Sequence, residues 1–268
     1  MRTLLLACVF AMLCVCPCAN AATTTANPNF NDLKLVTQLP EELPQRLIGF
    51  SYDGQKFWAT IYVGRGLYAT LDPATLEWQI DREAKHHQVI REVAGAYGSP
   101  GGNCFVNGKW WIAGAYGQSF GSIDINTWKV DRLFKRLQRP DKASQFYSSM
   151  TYDGSHLWIA WHWFRYNLPT SETQLLLKID PETGNVVAEF PAPAGSRPDG
   201  THGLTWDGSR LWHAKGNRLS AIDPTTGRVL SEYYLNEIDR PSGLAWDGQA
   251  LWIAQFDGKI WRLPFGTS

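Results

Sequence analysis

Three histidines, His162, His202 and His213, stand where a repetitive sequence departs from its own pattern. The chain twice reads leucine-tryptophan-isoleucine-alanine, at 157–160 and 251–254, but Leu211-Trp212-His213-Ala214 puts an imidazole in the isoleucine column. His202 stands on the other side of Asp207-Gly208, a pair that favours a two-residue hairpin turn in which both central residues take positive φ. That turn would oppose Trp206 to Ser209, Leu204 to Leu211 and His202 to His213. Directly opposed Cβ atoms lie about 4.5–5.5 Å apart, so the two rings could stack, share a hydrogen bond, or hold one divalent ion at about 2.0–2.1 Å from each nitrogen. Two histidines make an incomplete metal site, and His162 or Asp199 would have to supply a third ligand. In either arrangement the two imidazolium charges disfavour each other, so at least one ring should titrate below about 6.5. These three histidines are the candidate catalytic and metal-ligating residues.

Candidate ligand-binding residues accompany them. The run Trp161-His162-Trp163-Phe164-Arg165-Tyr166 combines aromatic faces with a guanidinium, a set suited to stacking on a sugar or heterocycle while holding an anionic group. Tyr147, Arg65, Asp199, Lys215 and Arg240 are expected on the same face, with Tyr62, Gln118, Gln255 and Asp257 beside them. Other reactive types are read as structural. The turn aspartates Asp53, Asp153, Asp207 and Asp247 recur with the repeat, as a turn does and as a residue needed once by a site does not. Cys104 falls in the column of Phe50, Met150, Leu204 and Leu244, which makes it a small buried hydrophobe. His86 and His87 have no evident partner and are expected in solvent.

The elements that must position these groups come from a fivefold repeat. Aligned on the turn, 49–60, 103–113, 149–160, 203–214 and 243–254 each give an apolar strand, an Asp-Gly or Asn-Gly pair and a tryptophan-bearing strand. Third and fourth strands follow around 67–80, 121–130, 175–190 and 218–233, joined by turns of the Asp-Pro-x-Thr-Gly type. Four antiparallel strands per repeat is the pattern of an all-β, five-bladed β-propeller. The fifth copy lacks a fourth strand, and 33–40 at the other end is expected to complete it and close the ring. Trp58, Trp111, Trp158, Trp212 and Trp252 are expected to pack blade against blade. All the tight turns belong to one end of the propeller, which looks merely closed. The long segments 81–102, 135–147, 161–174 and 191–202 belong to the other, where binding chemistry tends to gather.

Composition narrows the setting. Arg2, the apolar run Leu4–Cys16 and Ala19-Asn20-Ala21 have the form of a signal peptide over 1–21, so a periplasmic or secreted protein is expected. A flexible polar leader over 22–32 and a single domain over 33–268 would follow. Four of the five cysteines would leave with the signal, and Cys104 alone cannot form an intramolecular disulfide. Loss of Arg2 takes 25 basic residues to 24 against 25 acidic ones, a net charge of −1, with no basic stripe for a nucleic acid and no polybasic run for a membrane. Neither nucleic-acid binding nor membrane insertion is expected.

The repeat Gly-Leu-x-Trp-Asp-Gly-x-x-Leu-Trp-x-Ala followed by Ile-Asp-Pro-x-Thr-Gly-x-Val resembles exported bacterial propellers of the NHL, YVTN and SMP-30-like kind. Residues 49–75 are also similar to the first blade of the glutamine cyclotransferase propellers, whose fold has five blades. Where that family carries an acidic residue, this chain reads Ala59-Thr60-Ile61-Tyr62, without a carboxylate. Two functions then compete. The preferred one is a module that binds a small molecule, a glycan or a protein through its long-loop face. The alternative is a lyase, hydrolase or glutamine cyclotransferase with a histidine-based centre and a divalent metal ion. A stoichiometric metal in the purified protein would favour the second.

Overall fold

The computed structural model describes residues 26–62, 66–95, 98–116, 119–135, 144–164, 173–195 and 202–266, with residues 144, 145, 163, 164 and 173 described by backbone alone. The chain enters with β1 (Lys34–Gln38), which waits for the last sheet. Blade 1 is β2 (Leu47–Tyr52), β3 (Phe57–Ile61), β4 (Tyr68–Leu71) and β5 (Trp78–Ile80). Blade 2 is β6 (Pro100–Val106), β7 (Lys109–Gly114), β8 (Ser119–Asp124) and β9 (Lys129–Lys135). Blade 3 is β10 (Ser144–Tyr152), β11 (Leu157–Phe164), β12 (Thr173–Ile179) and β13 (Val186–Pro191). Blade 4 is β14 (Gly203–Trp206), β15 (Leu211–Lys215), β16 (Arg218–Ile222) and β17 (Val229–Tyr234). Blade 5 is β18 (Pro241–Trp246), β19 (Ala250–Gln255) and β20 (Lys259–Pro264), completed by β1 antiparallel to β20. The fold is therefore a five-bladed β-propeller, closed by its N-terminal strand.

Burial runs from the axis outward. The first strands β2, β6, β10, β14 and β18 contact one another around the ring. β2 and β18 are buried at every residue but the last, whereas β9, β13 and β17 show the alternating or mostly exposed pattern of a solvent edge. Between blades the core is built from the tryptophan column. Trp58 packs towards blade 2, Trp111 towards blade 3, Trp158 towards blade 4, Trp212 towards blade 5 and Trp252 back onto blade 1. Each indole removes about 150–250 Å² from water, which stabilises by about 4–6 kcal/mol as an upper bound. Cys104 is buried in the blade 2–blade 3 core, and desolvation pushes its thiol far above the ordinary range.

The tight turns differ from expectation in register. Asp207 is not a central turn residue: its N–H bonds to the Arg210 carbonyl, so Gly208 and Ser209 form the loop. The reason lies in the carboxylate. Asp207 Oδ1 accepts from the N–H groups of Ser209 and Arg210, and Oδ2 accepts from the Trp212 indole at 2.8 Å. Asp53, Asp153 and Asp247 make the same three bonds to their own turns and tryptophans. Aspartate stays at the strand end, and the glycine after it takes the positive φ, +98° at Gly54 and Gly208. That is the first loop position, where a II′-type hairpin wants glycine. Only blade 2 follows the expected scheme: Asn107 and Gly108 have φ of 50° and 75°, and Val106 pairs with Lys109.

Two further differences concern segments expected to be irregular. Residues 84–94 form helix α1 (Ala84–Ala94), which buries Ile90, Val93 and Ala94 and ends at Gly95 with φ 84°. It packs on β7 and β8, close enough that a Cβ at Gly114 would come within 2.1 Å of the Ala94 carbonyl. His86 and His87, expected in solvent, instead meet one carboxylate: His86 Nδ1 is 2.9 Å and His87 Nε2 3.1 Å from Asp81. One turn of helix brings both rings to the residue just ahead of it, and His86 also stacks on Trp128 at 3.6 Å. Residues 26–32, expected within the leader, lie against the last two blades. Asn29 N–H bonds to Pro264, and Arg210 donates to the Ala26 carbonyl.

Candidate functional site

The histidines meet at the seam between blades 3 and 4, at the end away from the tight turns. The corrected register pairs Leu204, not His202, with His213. His202 is a diagonal neighbour two residues further along the same face, because a two-residue shift preserves the alternation of a strand. The rings still meet: His202 Nδ1 and His213 Nε2 are 2.8 Å apart, with centroids at 5.1 Å. His162, from β11 across the seam, stacks on His202 at 5.6 Å and 23°.

Behind His162 the stack continues around the ring. Phe146 of β10 lies parallel to His162, at 5.0 Å and 9°. Tyr116, just past β7, packs on Phe146 at 5.4 Å, and its hydroxyl bonds to that of Tyr62, just past β3. One line of rings thus runs from blade 1 to blade 4. Tyr116 and Phe146 escaped the sequence reading. The available signal was Ala-Thr-Ile-Tyr at 59–62 beside Ala-Gly-Ala-Tyr at 113–116, a tyrosine just past the second strand in two blades.

Burial sets the electrostatics. His202 is 0 % and His213 1 % exposed, and Lys215, the last residue of β15, is 2 % exposed. A Cβ at Gly195 would fall 2.4 Å from Lys215 Cγ, so only glycine lets that segment lie over the lysine stem. Desolvation first, then the charges of His213, Lys215 and His162, hold His202 well below the usual histidine range. Desolvation and Lys215 push His213 down to about 3. Both rings are neutral at pH 7, and one proton lies in the bond between them. If His202 Nδ1 donates it, His202 Nε2 is a bare lone pair; if His213 Nε2 donates, His202 Nε2 carries a hydrogen. In both tautomers His202 Nε2 is buried and has no hydrogen-bond partner among the described residues. Such an atom can bind a polar ligand, take or give a proton, or ligate a metal.

The other candidates divide. Tyr147 and Trp161, 0 % and 2 % exposed, belong to the core between blades 2 and 3. Arg240 sits at φ 61° with its guanidinium 4.2 Å over Phe256. Trp163 is paired through its backbone with Gln145 and Thr173. Arg65, Gln118, Arg165, Tyr166 and Asp199 lie outside the described residues. Among the described residues no three histidine, cysteine or acidic side chains are grouped to hold a metal ion.

No known family model matches the chain, and neither does any curated protein. Among solved structures the chain is similar to a catalytically inactive variant of virginiamycin B lyase from Staphylococcus aureus with quinupristin. Identity is 15 %, the match covers 87 % of this chain and 99 % of that one, and the TM-score is 0.48. At that identity the site must be understood from its own geometry.

Proposed function

We propose that this chain is an exported β-propeller that binds a small polar molecule at the loop end of the blade 3–blade 4 seam, with His202 Nε2 making the decisive hydrogen bond. One observation carries the reading. A buried polar atom left without a hydrogen bond costs about 1–3 kcal/mol; among the described residues His202 Nε2 finds no partner, and the other nitrogen of its ring is fixed by His213. A ligand that supplies the missing bond recovers that cost and finds the ring already oriented. Export rests on residues 1–21, and a purified protein beginning at Ala22 would agree with it.

A second reading, an enzyme of the lyase or hydrolase kind, draws on the neutrality of the pair. A neutral imidazole whose other nitrogen is held by a second imidazole can donate its N–H to a developing anion, the role that suits a ring so reluctant to take up a proton. A bound divalent ion would belong to this reading, with His202 Nε2 and His162 as its first ligands.

The test is a thermal-shift screen of sugars, amino acids, nucleosides and organic acids, repeated on His202→Phe. A compound that raises the melting temperature of the parent protein and leaves the variant unmoved supports the assignment. Ligands that stabilise both proteins alike would remove His202 from the site. Turnover of such a ligand, or zinc bound one to one in the parent alone, would shift the conclusion to the enzyme.

A further inference from the structure

One column of the repeat is broken in a single blade. Phe134, Phe190 and Tyr233 hold the same register position on the fourth strands of blades 2, 3 and 4, paired with Phe120, Leu176 and Leu219. Those partners face Ala113, Ala160 and Ala214 in turn. In blade 1 Thr60 faces Tyr68, and the register of β4 and β5 carried one residue beyond Ile80 sets Asp81 opposite Tyr68. An acid stands where three blades have a ring. The ring's ordinary task is to fill the seam against the outer turn of the next blade. A Cβ at Gly184 would fall 2.4 Å from Phe134, and one at Gly227 2.3 Å from Phe190. In blade 2 that turn carries Trp128 in place of the glycine, and its indole turns instead to His86 and Tyr68, at 3.6 and 5.6 Å.

Beside Asp81 the seam is open. The groove there has a volume of about 370 Å³, within the range of about 300–1,000 Å³ typical of small-molecule sites. Trp58 and Tyr68 belong to its lining but are buried, so they leave little ring face for stacking. The rest is mainly polar. Thr70 is 6 % exposed, lines the groove, and makes no side-chain hydrogen bond among the described residues. Gln79, its cross-strand partner, presents an exposed amide that likewise finds no partner among them. Asp81 is held in place by His86 and His87. Charge along the groove is balanced, with Lys56 and Arg82 set against Asp81 and Glu83. Lys56 Nζ lies 4.8 Å over the Trp58 ring, and Arg82 reaches outward to Glu42 at 2.8 Å.

We propose that this groove is a second binding site, for a neutral sugar of one or two rings. A sugar hydroxyl both donates and accepts, so it answers the Thr70 hydroxyl, the Gln79 amide, the Lys56 ammonium and the Glu83 carboxylate alike. A ligand of net charge would gain from one pair of these ions and lose to the other. The enclosed Thr70 hydroxyl carries the assignment, because a buried polar group is normally hydrogen-bonded and this one faces an open groove.

The experiment titrates the full chain with glucose, galactose, N-acetylglucosamine and maltose, following the Gln79 side-chain amide and the Trp58 indole by NMR. At least one sugar should shift both signals saturably. Thr70→Val and Gln79→Ala should each weaken that sugar about fivefold, as the loss of a hydrogen bond does, while His202→Phe leaves it unchanged. Asp81→Phe, which restores the ring of the other blades, should abolish binding; if it also loosens helix α1, the two milder variants decide. No saturable shift with any of the four sugars would remove the site, as would undiminished binding in both Thr70→Val and Gln79→Ala. Inorganic phosphate shifting the same signals more strongly would overturn the assignment in favour of an anion. Loss of sugar binding in His202→Phe would overturn it by moving the sugar to the histidine seam.

Discussion

His202 and His213 show how much a single contact depends on its surroundings. In water each ring would be half protonated near pH 6.5. In the seam both stay neutral to far lower pH, because a buried imidazolium loses its hydration and meets Lys215. The consequence for stability has a definite sign. As pH falls from about 6.5 towards 3, the unfolded chain takes up protons that the folded rings refuse. Stability is therefore lost on acidification, at up to about 1.4 kcal/mol per pH unit for each ring. Replacing His213 by isoleucine, the residue of Ile159 and Ile253 in the same column, should flatten that limb by up to one proton. Urea unfolding of both proteins at pH 7 and pH 5 measures it, the carboxylates being common to both. An unchanged pH dependence would mean that His213 protonates freely in the folded state.

The inner hairpin is the element on which the fold repeats itself. Its aspartate satisfies two backbone N–H groups and one indole, so a single side chain fixes the turn and anchors the tryptophan that packs on the next blade. The following glycine is needed for its backbone alone. At Gly154 φ is +93° and an added Cβ would meet nothing within 4 Å. Gly154→Ala should thus cost only the left-handed strain of about 1–2 kcal/mol, lowering the melting temperature by a few degrees without disturbing the seam. A variant as stable as the parent would show that the turn has moved to another conformation. The outer turns reach the same φ by other means. Gly184 and Gly227 supply it in blades 3 and 4, while Leu76 at 60° and Trp128 at 51° adopt it in blades 1 and 2. Trp128 there lies against His86 and Tyr68, so its strained backbone serves the packing of helix α1.

For the whole molecule the decisive feature is closure. β1 contributes no buried residue of its own, yet it covers the open side of β20 from Lys259 to Arg262. Without it blade 5 would end in an unpaired strand, a template for pairing with another chain. Deletion of residues 33–40 should give a protein that self-associates and melts at lower temperature, seen by light scattering and calorimetry. A deletion that stays monomeric and equally heat-stable would mean that β1 is dispensable for the ring. Closure also explains why the molecule has two unlike ends. Nine short turns leave one end compact, while at the other end β11, β15 and the start of β14 bring the histidines together.

The amino-acid sequence alone determined the five repeats, the strand borrowed from the N-terminus and the structural role of the turn aspartates. Each of these is written in periodic columns, and alternation along a strand is a local property of the chain. It also indicated that His202 and His213 share a face, since a register error of two residues leaves the alternation intact. Tertiary structure decided the rest. The register itself depended on where the Asp207 carboxylate finds its donors, and helix α1 depended on blade 2 offering a surface for Ile90 and Val93. His162 reaches His202 only because blade 3 lies beside blade 4, and Tyr116 packs on Phe146 only because blade 2 lies beside blade 3. Neither proximity has a sequence spacing that could announce it. Desolvation was equally hidden: whether an imidazole is charged depends on what surrounds it from other blades, and the chain acquires those neighbours only when the ring is shut.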